Sequence, residues 1–359
     1  MKKMWIIIGL ILVLLVVIVG GLFWYFMNQP LYRPGMVRAG DNLRAPLTPS
    51  EQSEDGDRWS VEPDIELHHF SAGEGRNVLV VHGGPGYPYA EPWSGLALLT
   101  GDGDKRHPYE FHYYDQRGCG QSTRPVDTFS SNNYYENMKT LDRVLGLGAQ
   151  LADIERIRHI LGEEKLVLVG HSFGGFLASL YAAEFPEHVE GMVLLAPANL
   201  LVMPQEDGGI FEEVRERLPK ETREEYDAFL EEYLNFKDIF SKSEAELVAM
   251  NQKLAQYYQT AVGIQTPEQG EPGGWGVQAL YLSMGRRHDY RDGLRAVEAP
   301  VLVVHGSEDV FQPEDGSRAY ADAFPNAEFR VIEDAGHFPF YSQPDALAQI
   351  IGEFLSGLE

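Results

Sequence analysis

Apolar residues fall into three patterns along the chain, each predicting a different element. The first is one unbroken block: after Met1-Lys2-Lys3-Met4, the 23 residues 5–27 carry no charge. As a helix such a run spans about 34 Å, enough to cross a hydrocarbon core of about 30 Å. Trp5 at one end and Trp24-Tyr25 at the other suit the two interfaces. A cleaved signal peptide is the alternative, but the run exceeds the usual apolar core of one and no A-x-A site follows it. The expectation is a single-pass N-terminal anchor. Lys2 and Lys3 before the span favour a cytoplasmic N-terminus and an extracytoplasmic catalytic domain, although Arg33, Arg38 and Arg44 follow it.

The second pattern is the short apolar run ended by glycine or turn residues, at 77–82, 111–114, 166–169, 192–195, 301–304 and 329–332. Each reads as a buried strand. The third is helical spacing between them. Ile154, Ile157 and Leu161 share a face over 151–161, and Leu347, Ile350, Ile351, Phe354 and Leu355 keep a 3.6 period near the C-terminus, with Ser342 and Asp345 as a capping signal. Strands apolar on both faces and separated by helices predict a mostly parallel sheet covered on both sides. The alternation stops between Pro197 and Pro300, where Tyr226, Phe229, Leu230, Tyr233 and Leu234 form one helical stripe. Ser243 and Glu246 cap a second helix bearing Leu247, Met250, Leu254 and Tyr257. The predicted organisation is an anchor over 1–27, a flexible linker over 28–58, a core over 59–198 and 299–359, and an inserted helical cap over 199–298.

Composition narrows the chemistry. With 359 residues the chain can bury a full core without disulfides, and its one cysteine, Cys119, excludes both disulfides and cysteine-rich zinc sites. A net charge of −25 argues against a nucleic-acid partner. No P-loop, HExxH helix or complete EF-hand loop occurs, and Asp102-Gly103-Asp104 reads as a turn. No metal or cofactor is expected, and the oligomeric state is left open.

The candidate chemistry sits at strand ends. Gly170-His171-Ser172-Phe173-Gly174 follows the strand at 166–169 and opens a helix, the setting in which G-x-S-x-G presents a nucleophilic serine. A serine hydroxyl needs a base, and the base an orienting acid. His337 follows the last strand, whereas His82, His171 and His305 precede the acid and read as structural. Asp309, just after the strand at 301–304, is the acid candidate, with Glu308 as its rival. The order Ser172, Asp309, His337 is that of α/β hydrolases. The oxyanion donors expected are the N–H of Phe173 and an N–H of the loop His82-Gly83-Gly84-Pro85-Gly86, from Gly84. Asp115 and Arg117 read as loop-holding residues, and Cys119 lacks a local basic partner.

Taken together, HGGPG, DQRGCGQS, GHSFGG, the aspartate after HGSE and DAGHFP resemble the prolyl iminopeptidase-related group of α/β hydrolases over roughly 75–197 and 299–355. The resemblance implies an α/β-hydrolase fold and a cofactor-free serine aminopeptidase that removes an N-terminal residue, often proline. Its substrate would be a small peptide or a small acyl compound. It also implies Ser172, Asp309 and His337 as triad, with Gly84 and Phe173 as oxyanion donors. The cap departs from the group's pattern: it has no W-x-x-W-E, and Trp275 is its one tryptophan. Glu231 or Glu232, beside the apolar stripe, is a candidate for the substrate amine. Two other readings stay open: an esterase, lipase-like or lactone hydrolase on the same triad, and a non-catalytic binding module.

Overall fold

The computed structural model describes residues 29–53, 56–100, 109–205, 209–263 and 268–358, together with Leu14, Val17, Ile18, Gly20 and Gly21. Ten strands occur in chain order among them: β1 (Arg58–Glu62), β2 (Ile65–Gly73), β3 (Arg76–Val81), β4 (Tyr109–Tyr114), β5 (Leu166–His171), β6 (Val189–Leu195), β7 (Val202–Met203), β8 (His288–Asp289), β9 (Val301–Gly306) and β10 (Ala327–Ile332). The helices longer than one turn are α1 (Tyr134–Leu145), α2 (Leu147–Ile160), α3 (Phe173–Glu184), α4 (Gly209–Arg217), α5 (Lys220–Tyr233), α6 (Glu244–Val262), α7 (Trp275–Met284), α8 (Glu314–Ala323) and α9 (Pro344–Ser356).

Eight strands form one sheet in the order β1-β2-β4-β3-β5-β6-β9-β10. From β4 to β10 all pairings are parallel. The inner strands β3, β5, β6 and β9 explain the unbroken apolar runs, alternate residues of each entering cores on opposite faces. The run at 329–332 instead belongs to the edge strand β10, which is only partly buried and carries exposed Glu328 and Arg330. Leu79 and Val81 of β3, Leu166 and Leu168 of β5, and Val301 and Val303 of β9 pack on one side with α2 and α3. Val78 and Val80, Val167 and Val169, and Leu302 and Val304 pack on the other with α9. β1 and β2 add an antiparallel edge that the apolar runs do not announce. β2 reads IELHHFSAG and is half-buried beyond Leu67, so it lacks the signature of a central strand.

Between β6 and β9 the chain forms α4 to α7 and the β7–β8 ribbon. The Ser243–Glu246 capping box is complete at the start of α6. Tyr226, Phe229 and Tyr233 of α5 are buried, whereas Leu234 ends the stripe exposed. Ser342 does not cap the last helix. Its hydroxyl donates back to Phe338 O at 3.1 Å, within a separate turn over 339–342, and α9 starts at Pro344 after Gln343.

The segment expected to be a flexible linker is tied to the core at several points, although more than half of its described residues are exposed. Tyr32 and Val37 are fully buried, and Tyr32 Oη, Gly35 N and Arg38 N all donate to the buried Glu184 carboxylate at 2.8, 2.7 and 3.1 Å. Further along, Arg156 donates to Ala45 O and Pro46 O, both at 3.0 Å. Prolines, glycines and polar residues gave this strap no periodicity, yet a buried carboxylate and a buried arginine on the core supply its partners. The apolar run 5–27 lies outside the described residues except for Leu14, Val17, Ile18, Gly20 and Gly21, which are helical. Among the described residues no helix is long and apolar enough to cross a membrane. Asp102-Gly103-Asp104 also lies outside them.

Candidate active site

Ser172 stands between β5 and α3 with φ +52° and ψ −120°, a strained backbone that a sharp strand-to-helix turn requires. The strain is held by neighbours: Ser172 N donates to Leu195 O at 2.9 Å, and Ala198 N donates to Ser172 O at 3.0 Å. A Cβ at Gly174 would collide with the Val81 and His82 carbonyls, so only glycine lets the start of α3 approach the end of β3. That approach brings the HGGPG loop against the serine, where a Cβ on Gly83 would lie 2.9 Å from Ser172 Cβ. Gly84 has φ +124° and precedes Pro85 through a cis peptide. Phe173, as the first residue of α3, has no intrahelical acceptor for its N–H. The Gly84 N–H likewise meets no acceptor among the described residues.

His337 lies on the loop after β10 and Asp309 on the loop after β9. His337 Nδ1 donates to Asp309 Oδ2 at 2.8 Å, while Asp309 Oδ1 accepts from Phe311 N at 2.8 Å and Gln312 N at 3.0 Å. Burial pushes the Asp309 carboxyl up, but the facing imidazole and these donors outweigh it, so Asp309 lies below the ordinary carboxylate range. With Nδ1 donating, His337 keeps a lone pair on Nε2. Ser172 and His337 line the same cavity.

His171 has a defined place under this pair. Its Nε2 lies 2.8 Å from His337 O, which only accepts, so Nε2 carries the proton and Nδ1 faces Tyr89 Oη at 3.2 Å. Burial lowers its pKa to about 3, so it stays neutral. His82 is held in the same way. Its Nδ1 donates to Gly83 O at 2.9 Å and its Nε2 accepts from Gln116 N at 3.1 Å, and burial lowers it to about 4. Cys119 lies 3.7 Å from His82 Nε2, but burial raises its thiol well above the ordinary value. A neutral thiol beside a neutral imidazole is no nucleophile pair. Arg117 is wholly buried, with Asp153 at 2.6 Å and Glu62 at 2.8 Å, and Asp115 accepts from Gln121 N at 2.7 Å. These contacts pin the loops behind the site.

Two connected lobes meet at Ser172. One, of about 110 Å³, is lined mainly by rings: Tyr87, Tyr89, Tyr233, Tyr258, Tyr281 and Phe311. The wider one, of about 590 Å³, reaches Glu212, Glu213, Glu216 and Arg217 of α4. Glu231 and Glu232 reach neither. Both are exposed on the outer side of α5, and Glu232 pairs with Lys242 at 3.0 Å. The buried face of α5 is set by Tyr226, Phe229 and Tyr233, which turns the two carboxylates to solvent. The tyrosine lining escaped the sequence reading, though Gly86-Tyr87-Pro88-Tyr89 just past the HGGPG loop is a local sign of it.

This sheet, elbow and acid–base pair define a protein of the α/β-hydrolase type. The family model for the alpha/beta hydrolase fold matches residues 76–344, and the chain belongs to that family. Among similar proteins is a proline iminopeptidase of Heyndrickxia coagulans, 26% identical over 80% of this chain and 92% of its own length. A proline iminopeptidase of Neisseria meningitidis serogroup B is 27% identical over 79% of this chain and 90% of its own. A 2-hydroxy-6-oxononadienedioate/2-hydroxy-6-oxononatrienedioate hydrolase of Paraburkholderia phymatum is 26% identical over 81% and 91%. A thermophilic esterase of Thermogutta terrifontis shares the fold, with TM-score 0.53 and 23% identity over 82% of this chain and 94% of its own. The protein is thus a hydrolase similar to proline iminopeptidases.

Proposed function

We propose that this hydrolase transfers the acyl group of a small substrate to Ser172 and then to water, and that it acts as an aminopeptidase of the proline iminopeptidase kind. The observation that supports this best is the meeting of the Ser172 elbow and the 2.8 Å His337–Asp309 pair with a small ring-lined lobe. That lobe suits one residue rather than an extended peptide, as release of a single N-terminal residue requires.

In this reading Ser172 Oγ attacks the first carbonyl carbon while its proton passes to His337 Nε2. Asp309 stabilises the imidazolium, and the N–H groups of Phe173 and Gly84 receive the carbonyl oxygen as it becomes an oxyanion. The tetrahedral adduct collapses, the C–N bond breaks, and His337 returns the proton to the leaving amine. Water then attacks the acyl-Ser172 ester by the same route, releasing the acid and restoring the serine. An esterase on the same residues is the second reading. It is favoured by the absence of any carboxylate from the aromatic lobe among the described residues.

One substrate pair separates the two. An aminopeptidase should lose at least about 100-fold in kcat/KM when an amino-acid arylamide is acetylated, about 2.7 kcal/mol. Equal rates on both compounds would leave only the esterase. We further propose that residues 5–27 anchor the chain, with the hydrolase domain outside the cytoplasm. Full-length protein should then resist extraction by alkaline carbonate, and protease supplied on the outer side of the cytoplasmic membrane should reach the domain. A soluble form starting near residues 28–40 would refute the anchor.

A further inference from the structure

An aminopeptidase must accommodate an ammonium one carbon away from the carbonyl that Ser172 attacks. The charge therefore enters the same lobe as the acyl group. Among the described residues, the ring-lined lobe offers that charge no anion. Its titratable lining groups are five tyrosines, His171 and His337, with Asp309 behind the last. Burial raises every one of Tyr87, Tyr89, Tyr233, Tyr258 and Tyr281 above the ordinary phenol value, so none becomes a phenolate near neutrality.

Several of the hydroxyls are already committed. Tyr87 Oη donates to Asn251 O at 2.6 Å, Tyr233 Oη to Asn251 Oδ1 at 2.7 Å, and Tyr89 Oη meets His171 Nδ1 at 3.2 Å. Asn251 is itself fully buried, tied through Nδ2 to Gly273 O, so it fixes tyrosines from the HGGPG side and from α5 at once. What the lobe presents is therefore mostly aromatic surface, with three of its five tyrosines fixed by hydrogen bonds. The carboxylates of α4 are poorer candidates. Glu213 pairs with Arg217 at 2.6 Å with both side chains 40% exposed, and Glu212 lies 3.9 Å from Arg215. Water screens such pairs.

Resting on the aminopeptidase reading, we propose that the tyrosine lobe is the ammonium subsite, recognising an N-terminal secondary ammonium by cation–π contact in place of a carboxylate. Ring quadrupoles attract a cation most strongly where water is excluded. A secondary ammonium suits such a cage better than a primary one, because it has fewer N–H groups to strip of water.

The test compares the 4-nitroanilides of proline and of cyclopentanecarboxylic acid, which differ in charge and little in shape. Below the pKa of the prolyl amine, the wild-type ratio of kcat/KM should favour proline by at least about 100-fold. Y258L and Y281L should each lower that ratio about 10-fold, whereas Y258F and Y281F, which keep the ring, should stay within about 3-fold. Combined E212Q, E213Q and E216Q substitution should leave the ratio unchanged. As a check that needs no variant, pyrrolidinium should inhibit the wild-type enzyme at least about 10-fold better than cyclopentanol. A wild-type ratio near one, leucine variants that keep the ratio, or collapse of the ratio in the triple glutamine variant would each overturn the cage. If acetylated and free prolyl anilides react alike, or if neither anilide is cleaved, the aminopeptidase reading itself fails and the subsite with it.

Discussion

Replacing Asp309 with asparagine keeps the shape of the side chain and reverses the hydrogen-bond polarity that His337 meets. Asp309 Oδ1 accepts from two backbone donors, Phe311 N at 2.8 Å and Gln312 N at 3.0 Å, while Oδ2 accepts from His337 Nδ1 at 2.8 Å. In D309N only one position remains an acceptor. Turning the amide nitrogen toward the two backbone donors would leave both unpaired, at about 1–3 kcal/mol each. The amide oxygen therefore stays at the Oδ1 position and the NH2 group faces the ring. His337 must then accept at Nδ1, its proton moves to Nε2, and Nε2 can no longer take the proton of Ser172. The expected loss is about 10⁴-fold in kcat, or about 5.5 kcal/mol of barrier. It should be measured as steady-state turnover and as the acyl burst on an aryl ester, with unchanged thermal unfolding as the control for folding. E308Q, on an exposed side chain of the same turn, should stay within about 2-fold. A D309N loss below about 10-fold, or a larger loss in E308Q, would refute the assignment of the acid.

S172A should remove turnover by about 10⁶-fold without lowering stability, and more than a tenth of wild-type rate would exclude Ser172 as nucleophile. A chain beginning at residue 48 should be less stable than one beginning at residue 29 by at least about 4 kcal/mol in urea unfolding, because it exposes the sites of Tyr32 and Val37 and leaves Glu184 without its three donors. Equal stability would mean that the strap is only laid on the surface. Burial raises Asp142 to about 6, although Asn42 Nδ2 of the strap donates to it at 2.6 Å. An acid raised on folding binds more protons in the native state, so its contribution to stability falls as pH rises from about 4 to about 6 and is flat above that. D142N should remove up to about 3 kcal/mol of that fall, and identical pH–stability curves for the two proteins would contradict it.

The local chemistry was legible because each part of it is short-range. A strand ending in G-x-S-x-G and opening a helix needs only ten neighbouring residues, and so does the glycine loop after β3. The apolar runs of β3, β5, β6 and β9 announce strands buried on both faces, because neither face can carry a polar residue. By itself the sequence thus determined the parallel sheet, the helical character of the insertion and the order of the serine, aspartate and histidine. Tertiary structure decided the rest. Glu231 and Glu232 lie next to an apolar stripe in sequence, but the rotation of α5 that buries Tyr233 sends them to solvent. The strap lacks any period of its own, and its order comes from Glu184 and Arg156, more than a hundred residues away. The substrate lobe gathers Tyr87 and Tyr89 from just past the HGGPG loop with one tyrosine each from α5, α6 and α7, and nothing within any one segment shows that they meet. A pocket is a surface made by side chains distant in sequence, so no local pattern encodes it. Only the packing of those helices over the sheet edge turns five separate residues into one cavity beside Ser172.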